Sequence, residues 1–299
     1  MVMKENNVLN YIGEILKNMP DGWLNLTTHR LDIYDEQLAK VQFLEHFEHL
    51  FNDLNSETSA LNTLPTAFDY IRLGHPLSCV LEWVIARLNS LDPNNIISFS
   101  SKTIPVLAIL RANLLEGKDT LITYSGELPD ALDLHILRNV YGYTFDLKYV
   151  NNVSEIPAFH GSTIFITQQE DLYTLDLTPS IDFFITIHPH TGSVLSVNGA
   201  HNERYISDIQ HVRRRESIAM TPANCLATLR NLNTTSSIQM DRNAFKSHKA
   251  QVLDAVKSIT GTPTKAVVRS SGLYTQDAIM KWLIPEASEQ HPGKNNKIK

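Results

Sequence analysis

Between residues 96 and 150 the hydrophobic period switches repeatedly between that of a strand and that of a helix. Ile96-Ile97-Ser98-Phe99 reads as a short buried strand. Residues 103–115 carry Val106, Leu107, Leu110 and Leu114 at helical spacing, and Gly117 lies just past their end. A strand over 120–124, a helix over 129–141, Gly142 and a strand over 144–150 follow. Strands that alternate with helices through short loops form a parallel sheet with right-handed crossovers, because each helix must pack back onto the sheet it leaves. Apolar runs at 163–167 and 181–187 extend that sheet, and 193–197 reads as one more strand.

The flanks are helical. Val8, Leu9, Ile12, Ile15 and Leu16 share one helix face, which stops at Asn18–Pro20; Leu38, Val41, Leu44, Phe47, Leu50 and Phe51 do the same over 36–54. Residues 55–69 are polar and small, with Pro65, and read as an extended arm. Pro76 suits the first turn of a helix whose buried face is Val80, Leu81, Val84, Ile85 and Leu88. Beyond residue 200 helices dominate, at 222–232, 237–259 and 274–283, with a strand at 264–269. The expected organisation is N-terminal helices and arm (1–69), an α/β core (70–200), a helical C-terminal part (201–285) and a frayed tail (286–299).

Composition removes several classes of function. With 299 residues, 42% hydrophobic and 19% charged, the chain can bury a large core. A net charge of -6 argues against a nucleic-acid partner, which needs a basic excess to neutralise phosphates. The one tight basic run, Arg213-Arg214-Arg215, is followed by Glu216 and reads as a solvated helix face. Cys79 and Cys225 lie in apolar helical patterns and read as buried thiols. The N-terminus lacks the continuous apolar core of a signal peptide, and no apolar run reaches the roughly 20 residues that span a bilayer, so a cytoplasmic protein without a membrane partner is expected. His46 and His49 have metal-ligand spacing but no third ligand in the pattern, and no metal site is assigned.

Five groups of residues then follow one another along the chain. Tyr70-Ile71-Arg72 precedes His75-Pro76 and Leu81-Glu82. Phe99-Ser100-Ser101 leads into Lys102-Thr103, and Tyr124-Ser125-Gly126-Glu127 ends the next strand. Thr163 to Gln169 and Asp182 to Gly192 form two further strand ends. Thr221-Pro222-Ala223-Asn224, Leu229 to Thr234 and Met240 to Ala244 complete the series. Their order and spacing resemble the Cys/Met-metabolism (transsulfuration) family of pyridoxal-phosphate (PLP) enzymes, the cystathionine γ-synthases, cystathionine β-lyases and methionine γ-lyases. The resemblance covers about 70–256. It implies the aspartate-aminotransferase-type fold (fold type I), a mainly parallel sheet with flanking helices, here with a truncated C-terminal domain.

The resemblance also implies roles. Tyr70 and Arg72 match the pair that reaches across a dimer interface to the neighbouring subunit's cofactor phosphate, a task suited to a guanidinium fork. Ser101 and Lys102 fall on the phosphate loop, with Lys102 where the family has a glycine, and Tyr124 matches the ring that stacks on the cofactor. Thr167 stands where an Asp keeps the pyridinium nitrogen protonated. His190 stands where a lysine forms the Schiff base, and an imidazole cannot form that aldimine. No lysine occurs between Lys148 and Lys246, so a shifted alignment does not restore one. The βα unit with the family's Asn-Pro loop is expected to be missing between Val150 and Thr163, as is the late Arg that holds a substrate carboxylate.

The reading that follows is a pseudoenzyme without cofactor, acting as a binding or regulatory subunit, as a homodimer or as a heteromer with an active paralogue. Two alternatives stay open. One is a divergent C–S lyase or transferase using PLP, with Lys102 or Lys148 as substitute amine or with His188, His190 and His201 as acid/base groups or metal ligands. The other is a binder of another phosphorylated metabolite through Arg72, Ser101 and Lys102.

Overall fold

The strand-forming runs become β1 (Ile96–Phe99), β2 (Thr120–Ser125), β3 (Asp146–Tyr149), β4 (Ser162–Gln168), β5 (Phe183–His188) and β6 (Gly192–Val197). They form one six-stranded sheet in the order β1-β6-β5-β4-β2-β3. The pairings β2–β3, β2–β4 and β4–β5 are parallel, while β6 runs antiparallel to both β5 and β1. Five strands therefore point one way and β6 the other. This computed structural model describes residues 2–25, 36–65, 67, 72–130, 132–233 and 242–261, with short stretches between 275 and 290. The chain divides into two compact units, 1–236 and 237–299.

The helices are α1 (Val2–Asn18), α2 (Glu36–Asn52), α3 (Thr58–Leu61), α4 (Pro76–Leu88), α5 (Ile104–Glu116), α6 (Leu134–Asn139), α7 (Tyr205–Glu216), α8 (Pro222–Asn233) and, in the second unit, α9 (Arg242–Thr260). One continuous core joins α1, α2, α4 and α8 to a face of the sheet; it contains Ile12, Phe47, Trp83, Val194 and Leu229. The Phe47 and Trp83 rings meet edge to face at 5.2 Å. Alternation along a strand turns Phe183 to the opposite face, where it packs on Tyr205 of α7 at 5.0 Å. Helix on both faces of a mainly parallel sheet is the architecture that the β-α-β alternation predicts. Between β3 and β4 the described chain has only the 3-10 turn Val153–Glu155.

Three local expectations change, and a fourth falls outside the described residues. Residues 55–69 contain a turn of helix, α3, whose Leu61 is buried against the N-terminal core, so that stretch is not wholly extended. The helix expected over 129–141 forms only over Leu134–Asn139, where Asp133 accepts from the His135 and Ile136 N–H groups and sets its start. The strand at 264–269 lies outside the described residues, as does most of the helix at 274–283. The largest correction concerns Arg213. It is not solvated: its side chain is 0% exposed and donates to Glu82 Oε1 at 2.9 Å and to the Ser98 carbonyl at 3.0 Å. A basic run marks a charged helix face, but here the buried Glu82 carboxylate draws Arg213 inward while Arg215 stays exposed.

Glu82 is the reason. Its carboxylate, fully buried on α4, accepts from the Ser98 N–H (2.8 Å) and hydroxyl (2.7 Å) and pairs with Lys40 of α2 at 2.6 Å. Lys40 also donates to the Pro93 and Ile96 carbonyls at 2.8 and 3.0 Å. The outward-facing groups of edge strand β1 are thus satisfied by side chains in place of a neighbouring strand. Burial by itself would raise the Glu82 carboxyl pKa, but Lys40, Arg213 and the Ser98 N–H outweigh it and hold the group below its ordinary value. Cys79 and Cys225 are buried free thiols beside this cluster, as expected.

Candidate functional site

Chain direction places the site. From β2 the chain moves outward to β3, then returns to the other side of β2 as β4 and continues inward to β5. In an open α/β sheet a crevice forms outside the carboxyl ends of the strands at such a reversal. The reversal lies between β2 and β4, where Ser125 pairs in register with Thr167 and their hydroxyls meet at 3.3 Å. Thr186 of β5 is the next residue in that row, and its hydroxyl is buried without a hydrogen-bond partner. Thr167, singled out in the sequence, therefore lies at this reversal. Tyr124 precedes Ser125 and so faces the other way; its ring packs on Tyr149 of β3 at 5.5 Å.

A second cluster gathers at the ends of β1 and β5. Lys102 Nζ donates to the Pro189 carbonyl at 2.6 Å, and Ser193 Oγ donates to the Ser101 carbonyl at 2.6 Å. These bonds tie the loop after β1 to the β5–β6 turn that carries His190. Gly192 makes the approach possible: a Cβ there would lie 2.1 Å from the Phe99 carbonyl oxygen, and its φ of +138° suits glycine alone. Within the turn, His188 Nδ1 accepts from the N–H groups of His190 (3.0 Å) and Thr191 (3.1 Å), which puts the imidazole proton on Nε2. Burial lowers the His188 pKa; His190 and Lys102 push it the same way, and Glu170 opposes them. The His188 and His190 rings lie 5.9 Å apart. Asn224 of α8 closes the turn by donating to the Thr191 carbonyl at 2.8 Å.

Ser101 has a structural task. Its hydroxyl accepts from the Thr103 and Ile104 N–H groups at 3.2 and 3.1 Å, and Pro105 in the first turn of α5 has no N–H to give. The donors that an anion would need at this helix start are largely used. Arg72 is half-buried, and its carbonyl accepts from Ala219 N at 3.0 Å, while Ser100 N donates to Ile218 O at 3.1 Å. The segment before α8 therefore runs between Arg72 and the end of β1. His75 at the start of α4 fixes its far side, with Nε2 donating to the Met220 carbonyl at 2.7 Å and Nδ1 accepting from Ser78 N at 3.2 Å. Tyr70 lies outside the described residues.

Of the residues named from sequence, the structure brings Ser101, Lys102 and His190 to one loop pair, sets Thr167 in the adjacent row and turns Tyr124 away from it. Sequence reasoning missed the Ser125–Thr167 contact and the role of Gly192; a pairing register reveals both, and a single chain does not print its register. Among the described residues, no group of three or more His, Cys, Asp or Glu side chains is placed to hold a metal ion. Among them, too, no helix is long and apolar enough to cross a membrane. The strand ends at this site offer Thr167, His188 and His190, with Lys102 donating to the Pro189 carbonyl.

No protein-family model matches this chain, and no curated protein matches it. Among solved structures it is similar to metB from Corynebacterium glutamicum, with 15% identity and a TM-score of 0.39 over 65% of this chain and 60% of that one. It is similar to cystathionine γ-lyase from Lactobacillus plantarum complexed with L-serine, with 12% identity and a TM-score of 0.42 over 83% and 69%. A third is cystathionine γ-synthase from Xanthomonas oryzae pv. oryzae in complex with aminoacrylate and cysteine, with 12% identity and a TM-score of 0.44 over 84% and 67%. The chain spans less than two thirds of the first structure and about two thirds of the other two.

Proposed function

We propose that this chain is a non-catalytic relative of the transsulfuration PLP enzymes, acting in the cytoplasm as a binding or regulatory subunit, either as a homodimer or with an active paralogue. The observation that carries the reading is the engagement of Lys102. It is the amine beside the turn that carries His190, and its nitrogen donates to Pro189 O at 2.6 Å. That bond holds the amine against the backbone of the β5–β6 turn, so it is engaged there and not presented to an aldehyde. Lys148, the other candidate amine, lies on the outer strand β3 and donates weakly to Glu155 O at 3.5 Å.

The test is the visible absorbance of the purified chain before and after added PLP, with intact mass after borohydride. The expected result is no aldimine band and no lysine adduct. A band with an adduct mapped to Lys102 would overturn the reading in favour of a divergent C–S lyase or transferase, the alternative favoured by that lysine's proximity to the β5–β6 turn. The heteromeric version rests on Arg72. In a verified heterodimer, Arg72→Ala is expected to weaken PLP binding by the active partner, and unchanged affinity there would reject it.

A further inference from the structure

A cleft of about 550 Å³ opens at the opposite end of the sheet from the strand ends described above, at the starts of β2 and β3. That volume is within the range of sites for small organic ligands. Its apolar wall is Phe145 and Phe159; its charged rim is Asp119, Arg138 and Asp146. The Asp119 and Asp146 carboxylates come from the beginnings of neighbouring strands, since Leu121 pairs with Asp146. Arg138, exposed on α6, is held over the Phe145 ring at 4.6 Å and uses one nitrogen on the Phe145 carbonyl at 3.2 Å. Its remaining N–H groups and both carboxylates have no ion-pair partner among the described residues.

Gly161 shapes the cleft. A Cβ there would lie 2.2 Å from the Asp119 carbonyl oxygen and 2.5 Å from the Phe159 ring, so only glycine lets this loop close and bring Phe159 against the rim. A fixed guanidinium, two carboxylates and an aromatic wall around one cavity complement a carboxylate, an ammonium and an aromatic body. Two acids against one base exclude a simple anion, and the Arg disfavours a simple cation.

We propose that this cleft binds a zwitterionic α-amino acid with an aromatic side chain: Arg138 takes the carboxylate, Asp119 and Asp146 take the ammonium, and the side chain lies against Phe159. The inference goes beyond the reading of the strand ends and does not depend on it. Isothermal titration of the full chain tests it with three probes: L-phenylalanine, phenylethylamine (no carboxylate) and 3-phenylpropionate (no ammonium). The expected result is saturable L-phenylalanine binding, with each truncated probe weaker by about tenfold or more, since charge-assisted hydrogen bonds are lost. Arg138→Gln is expected to weaken L-phenylalanine but not phenylethylamine, and Asp146→Asn to weaken L-phenylalanine but not 3-phenylpropionate. No saturable binding of L-phenylalanine up to about 10 mM, or equal affinity for all three probes, overturns the proposal. The probe series on the unaltered chain decides even if a variant fails to fold.

Discussion

The two edges of the sheet solve one problem in opposite ways. Every edge strand presents backbone groups with no strand beside them. At β1 they are sealed inside the protein by Lys40, Glu82 and Arg213, drawn from three helices. At β3, of four residues, Asp146, Lys148 and Tyr149 are exposed, and among the described residues no strand pairs with its outer side. The β1 edge therefore depends on long-range contacts, and loss of one partner leaves charge stranded in a dry interior. The β3 edge is short, charged and solvated, and tolerates change.

Glu82→Gln should separate the edges most sharply. It leaves two buried cations facing a neutral amide, and a loss of about 3–5 kcal/mol is expected in chemical denaturation. A loss below about 1 kcal/mol, the range of an exposed pair, would mean that the β1 edge is no better sealed than β3.

Acid should act on the β1 side next. Burial lowers the His75 pKa from 6.5 to about 4, against the opposing pull of the Met220 hydrogen bond. The unfolded chain binds the proton that the folded chain refuses, so this contribution is complete above about pH 6.5 and is lost as pH falls toward 4. The shift is worth roughly 3 kcal/mol. Glu82 loses stability in the same direction, below the ordinary carboxylate range. Denaturation midpoints from pH 7 to 4.5 measure the His75 contribution, and His75→Asn, which can still cap α4, should flatten the curve above pH 5.

Gly192→Ala tests the seam between β6 and β1. The new methyl would collide with the Phe99 carbonyl in a backbone conformation that disfavours side chains, at a cost of about 2 kcal/mol or more. Thermal unfolding of this variant beside Gly142→Ala, which has positive φ but open space, separates collision from backbone strain. At the other edge, Tyr149→Ser removes the ring packed on Tyr124 and should cost about 1 kcal/mol or less. A larger loss would show that the β3 edge bears on stability as heavily as β1.

The same contrast explains what was legible in the sequence. Strands β1, β2, β4, β5 and β6 match the sequence pattern nearly to their ends, because a short apolar run bounded by turn residues is a local signal. Helix α6 is shorter than its pattern predicts, since its boundary depends on the Asp133 cap more than on hydrophobic period. The Arg213 run misleads for a different reason: its local pattern is that of a solvated face, and only Glu82, 131 residues away, reverses it. At the candidate site the sequence names Thr167, Lys102 and His190, yet carries no hint that Ser125 meets Thr167, because register is set between strands and not within one.

By itself, then, the sequence determined the alternating α/β pattern and the lysine-free stretch from 149 to 245. The tertiary structure decided the strand order, the reversal of β6, the sealing of β1 and the meeting of Lys102 with Pro189 across 87 residues. Period and turn chemistry act over a few residues and are written in any window of the chain. Which distant groups share a dry interior is settled by burial and charge compensation over the whole molecule, and no window contains both partners.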